Sequence, residues 1–138
     1  MMEAEMAKLL VVLLLAMLAP GAAAAQDALT GRTLFQIHCA SCHGPGAAGD
    51  GLLVAALQRT PPDLTTLARR NGGLFPLAYV ISRIDGSDRL MSDGDPMPVY
   101  TLLLDGPMLV VDTPGGSDIA APEALVHVGA WLQSIQVE

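Results

Sequence analysis

Lysine is almost missing: Lys8 is the only one in 138 residues, and it stands in the opening stretch. A lysine-rich docking face for acidic partners is therefore excluded, and a basic or weakly charged partner is favoured. Arginine does not replace it. The six arginines within residues 26–138 are scattered, with only Arg69 and Arg70 adjacent. No basic stripe for a phosphate backbone results, which argues against nucleic acid. Twelve Asp and Glu outnumber those arginines over the same residues, so that part of the chain is acidic. Cysteine is limited to Cys39 and Cys42, and histidine to His38, His43 and His127. The second cysteine pair of a structural zinc site is lacking. The apolar run over residues 9–18 is also too short for a spanning helix, which needs roughly 20 residues.

That run has the layout of an export signal. Lys8 precedes it, Pro20-Gly21 breaks it, and Ala23-Ala24-Ala25 offers the small residues of a cleavage point. The expected division is a cleaved signal peptide over 1–25, with cut before Gln26, and one small exported domain over 26–138. The expected location is the periplasm, with no stable membrane anchor. A domain of this size gains much from a large apolar cofactor that adds to its core.

The one strong motif is Cys39-Ala40-Ser41-Cys42-His43, which uses both cysteines and ends on a histidine. Thiols at i and i+3 of a helical turn point to one side, where both can add to the two vinyl groups of a haem. The same turn delivers His43 to the iron. A redox disulfide would want a strand-helix-strand frame that the flanking sequence does not suggest. Zinc would want more ligands than are offered.

For the second axial position the methionines compete. Met97 ranks first, because Pro96 and Pro98 hold it in a stiff extended loop. Met91 is the runner-up without such a bracket. Met108 follows Pro107, and any methionine can serve as a flexible core filler. His38 and His127 are expected to be structural. Neutral, soft thioether sulfur favours ferrous iron and raises the reduction potential relative to a second imidazole.

Around these residues the chain resembles the small monohaem (class I) cytochromes c of bacteria. Gly31 and Phe35 precede Cys39 at steps of four. Downstream, Pro61-Pro62-Asp63-Leu64-Thr65, Asn71-Gly72-Gly73, Ile84-Asp85-Gly86 and Met97-Pro98 follow in the order many bacterial members show. The resemblance implies a mostly α, small cytochrome c-like fold, with three to five helices wrapped around one covalently bound haem c. It also places the distal methionine before a proline, in agreement with Met97. A proline carbonyl often holds the proximal histidine in this family; Pro61 or Pro62 fits by resemblance, Pro45 by proximity in sequence.

A first helix is expected from about Ala28 to the attachment turn. A short helix capped by Asp63 follows, then one from Pro76 with Leu77, Val80, Ile81 and Ile84 as its apolar stripe, and a closing helix over about 122–136. Gly129 inside that last helix suggests a close crossing shared with Gly31. The runs Leu102-Leu103-Leu104 and Leu109-Val110-Val111 around Asp105-Gly106 suggest a short β-hairpin at about 101–112, against which Pro107 argues. The function expected is a periplasmic one-electron carrier between a redox donor and acceptor, such as cytochromes, a dehydrogenase or an oxidase, and not an enzyme in itself. The alternatives are a dedicated haem subunit of a periplasmic oxidoreductase, or a haem enzyme or gas sensor with an open sixth position.

Overall fold

The computed structural model describes residues 20–87, 97–113 and 117–137, with the backbone alone for 20–26. Most of the expected export segment lies outside the described residues, as do Met91 and Pro96. In chain order come helix α1 (Pro20–His38), the single turn α2 (Ala40–His43), the short α3 (Leu67–Arg70) and α4 (Leu77–Asp85). Strands β1 (Met108–Asp112) and β2 (Asp118–Pro122) and helix α5 (Glu123–Ser134) follow. This is the mostly helical architecture that the resemblance implies, with one small sheet among the described residues. No helix among them is long and apolar enough to cross a membrane.

The most extensive helix contact is α1 against α5. Steps of four along α1 put Gly31, Phe35 and Cys39 on one face, and all three are buried while Arg32, Thr33, Gln36 and Ile37 face water. Phe35 meets Trp131 of α5 at a tilt, ring centres 4.5 Å apart, and Leu125 and Val128 complete the contact, with Phe35, Leu125 and Val128 almost wholly enclosed. Only glycine fits at position 31, since a Cβ there would run into the backbone carbonyl of His127. Gly129 does not share this crossing. A Cβ on it would meet the movable end of the Leu77 side chain, from α4. The two glycines therefore serve different contacts, and their substitution separates them. Gly31→Ala is expected to cost about 2–3 kcal/mol or more, because two backbones must move apart. Gly129→Ala is expected to cost less than about 1 kcal/mol, since leucine can shift and alanine favours the helix. Denaturant unfolding of the two variants checks this.

Between the attachment turn and α4, Asp63 does what its place before a helix predicts. Its carboxylate accepts from the Thr65 amide at 2.9 Å and the Thr65 hydroxyl at 2.6 Å, opening a 3-10 turn (Leu64–Thr66) that runs into α3. Those two hydrogen bonds hold the Asp63 carboxyl below its ordinary value. In α4, Val80, Ile81 and Ile84 are buried and Leu77 half-buried, and Gly86 closes the helix in the left-handed region, at φ 79.

The hairpin exists but is displaced. Leu102 and its neighbours form a 3-10 turn (Thr101–Leu103) that sinks Leu103 into the core. The arm over 108–112 pairs downstream, with Val110 opposite Ala120 and Asp112 opposite Asp118. Three successive leucines lack the alternation of a half-buried strand. Leu109 and Val111 facing in, with Met108, Val110 and Asp112 facing out, have it, and Ile119 and Ala121 match them.

Past α5, the Gln136 amide accepts from the Ala68 amide and donates to the Leu64 and Leu132 carbonyls, each at 2.8 Å. Val137 N–H donates to the Thr65 carbonyl at 2.8 Å. The segment over 64–68 is thereby tied to the end of the closing helix.

Candidate functional site

Local hydrogen bonds build the attachment turn. The Cys39 amide continues α1 by donating to the Phe35 carbonyl at 2.8 Å, and the Cys42 and His43 amides donate to the Cys39 carbonyl at 3.2 and 2.9 Å. A helix end leaves carbonyls without partners. Here the following loop doubles back to supply them: Leu53 N–H donates to Ser41, Gly51 N–H to Cys42 and Gly49 N–H to His43, at 2.8–3.2 Å. The glycine-rich stretch over 44–51 serves this purpose, and Leu64 N–H donating to the Ala47 carbonyl at 2.8 Å joins it to the next segment.

The turn opens onto a cavity of about 660 Å³, within the roughly 300–1,000 Å³ of small-molecule and cofactor sites. Cys39, Cys42, His43 and Met97 all line it. Phe35, Leu67, Val80, Ile84, Val128 and Leu132 give it apolar walls, while Arg59, Arg70 and Arg83 add cationic groups. Arg70 is braced, donating from Nε to the Thr66 carbonyl and from a terminal nitrogen to that of Asp63.

Burial governs the chemistry of the lining. Both cysteines are free thiols. Desolvation, with the neighbouring Cys42 adding to it, pushes Cys39 up to about 12, so its thiolate is strongly disfavoured. His43 is lowered by desolvation and partly restored by the backbone of Pro62, which keeps its imidazole neutral and able to donate a lone pair. Its Nδ1 is buried without a well-formed hydrogen bond. Of the three prolines left open by the sequence, Pro62 is the one that acts on this ring. The Pro45 carbonyl instead accepts from Gln36 Nε2 at 2.8 Å.

These features fit the expected haem. An apolar cavity with cations in its lining suits a flat macrocycle bearing carboxylates. The buried Cys39 thiol, which resists ionisation, suits a neutral thioether with the half-buried Cys42 one turn away, and a neutral imidazole lining the cavity suits iron. Cys39 and Cys42 would hold the ring covalently, His43 and Met97 would be donors to the metal among the described residues, and haem would supply a one-electron redox couple there. Among the described residues no three or more His, Cys, Asp and Glu side chains converge as another metal site.

The rival ligands lie elsewhere. His38 meets the edge of the Tyr100 ring at 6.1 Å, and His127 lies 3.4 Å from Asp27; neither lines the cavity. Met108 is exposed on β1. Met91 lies outside the described residues. The sequence reading missed Tyr100, whose hydroxyl is raised by burial and by the two cysteines, and the three cavity arginines. No motif marks these; only the fold gathers them.

A family model described as cytochrome C oxidase, cbb3-type, subunit III matches residues 26–97. The matched segment contains Cys39, Cys42 and His43 and ends at Met97. No curated protein and no solved structure gives a significant match.

Proposed function

This chain belongs to the c-type cytochrome family represented by subunit III of cbb3-type cytochrome c oxidase, with covalently bound haem c as its cofactor and electron transfer as its role, and from that premise we propose that it is a periplasmic one-electron carrier with His43 and Met97 as axial ligands. Cys39 and Cys42 are the thioether positions. The observation that carries this reading is that both sulfurs, the imidazole and the Met97 side chain line a single cavity. Two protein ligands, held in both oxidation states, leave no coordination site for a substrate and demand little rearrangement when the charge changes. That favours transfer over turnover. Export is supported by the order of Lys8, the apolar run and the small residues before Gln26. The acidic surface favours redox partners with basic or neutral docking faces.

Carbon monoxide tests the closed site. The matured ferrous protein is expected to show no rapid change in its absorption spectrum on exposure to the gas. Rapid binding at native pH would instead support an enzyme or sensor with a labile sixth position.

A second reading has an observation of its own. The matched family takes its description from an oxidase subunit, and the segment over 102–111 exposes Leu102, Met108 and Val110. A dedicated haem subunit docking through that segment would co-purify with its enzyme, whereas a free carrier would not.

A further inference from the structure

We infer that the loop carrying Leu52, Leu53 and Leu57 is the surface through which electrons leave and enter, and that it docks a redox protein whose contacting face is apolar and without net charge. The inference rests on the carrier reading above and narrows its partner.

The loop is joined to the attachment turn itself. Gly51 and Leu53 donate to the Cys42 and Ser41 carbonyls, and a Cβ on Gly51 would run into that same backbone. Leu57, further along, lines the cavity. Leu57 thus borders the cavity, and Leu52 and Leu53 stand on the part of the loop bonded to the backbone of Ser41 and Cys42. Leu52, Leu53 and Leu57 are 96, 48 and 36% exposed, and no other exposed large hydrophobic matches Leu52 among the described residues. Single exposed leucines are ordinary. Three within six residues, on a loop whose backbone is fixed by hydrogen bonds to the redox site, form a preorganised apolar contact.

Charge decides what it contacts. Residues 44–60 hold one carboxylate, Asp50, and one guanidinium, Arg59. The loop is therefore neutral on an acidic protein, and neither a basic nor an acidic patch gains by meeting it. Complementarity selects an uncharged, apolar face, with the protein's net charge acting only at long range.

A gold electrode coated with a methyl-terminated monolayer stands in for such a face, and an amine-terminated one for a basic partner. The matured holoprotein is expected to exchange electrons reversibly at the methyl surface, and the rate should hold as salt shortens the Debye length from about 30 to about 3 Å. A Leu52→Gln/Leu53→Gln variant should lose about tenfold or more in rate, with absorption spectrum and midpoint potential intact. Val110→Gln, on the outer face of β1, should behave as the native protein. Three outcomes overturn the inference: undiminished exchange by the double variant, exchange only at the amine surface with loss in salt, or a native dimer in sedimentation that the double variant dissociates. Failure of the underlying carrier reading is visible separately, as a protein without a covalent haem spectrum before any electrode is used.

Discussion

Replacing both Cys39 and Cys42 with alanine is expected to make the pigment fully extractable by acidified organic solvent and to leave a chain that no longer holds its fold once the pigment is gone. With both thioether positions lost, retention rests on noncovalent binding, and the stabilisation becomes dependent on free haem concentration as RT ln(1 + [L]/Kd). A tethered group suffers no such dilution. The cavity sets the size of the effect. A cost of about 24 cal/mol per Å³, applied to about 660 Å³, gives roughly 16 kcal/mol. That is an upper bound because the cavity is open to solvent, and it is on the scale of the 5–15 kcal/mol stability of an ordinary domain. Collapse of the walls or unfolding is the expected response. Solvent extraction and far-ultraviolet circular dichroism with heating check the two halves of the expectation. Pigment retained through extraction by the double variant would contradict thioether attachment at these residues.

The second large effect is spectroscopic. Met97→Ala is expected to abolish the weak charge-transfer absorption that ferric iron shows when sulfur is bound, and to lower the reduction potential, because a soft donor favouring the ferrous state is lost. The same variant should gain rapid carbon monoxide binding. Met97 is half-buried at the cavity and followed by Pro98, which restricts it to extended backbone. Met91→Ala is the necessary companion. It should leave the absorption intact; loss in that variant and retention in Met97→Ala would transfer the distal ligand to Met91.

What was legible in the sequence was local or periodic. Gly31, Phe35 and Cys39 recur at the helical step, so their common face could be read without the fold. Asp63 announces a cap, and Leu77, Val80, Ile81 and Ile84 an apolar stripe. The attachment turn is held by hydrogen bonds between near neighbours, and its motif stood out accordingly. Contacts made at long range were not legible. Choosing Pro62 over Pro45 required knowing that the Pro45 carbonyl is taken by Gln36. The partner of Gly129 is Leu77, on a helix distant in sequence. The strand over 108–112 was expected to pair with the leucines over 102–104, but Leu103 is buried in the core, and the partner is the segment over 118–122, whose Asp118 and Pro122 ends carry no strand signal although Ile119 and Ala121 face inward. Arg59, Arg70 and Arg83 are spread along the chain and converge only in three dimensions.

The Gln136 amide has a consequence for the order of assembly. Leu64 and Ala68 wait for hydrogen-bonding partners 72 and 68 residues downstream, whereas the turn bearing the sulfurs closes on residues four positions away. Synthesis proceeds from the N-terminus, and distant contacts form only after their loops close. A chain delivered N-terminus first would thus present Cys39 and Cys42 before Gln136 arrives to tie the segment over 64–68 to the closing helix, so that side of the cavity would form last.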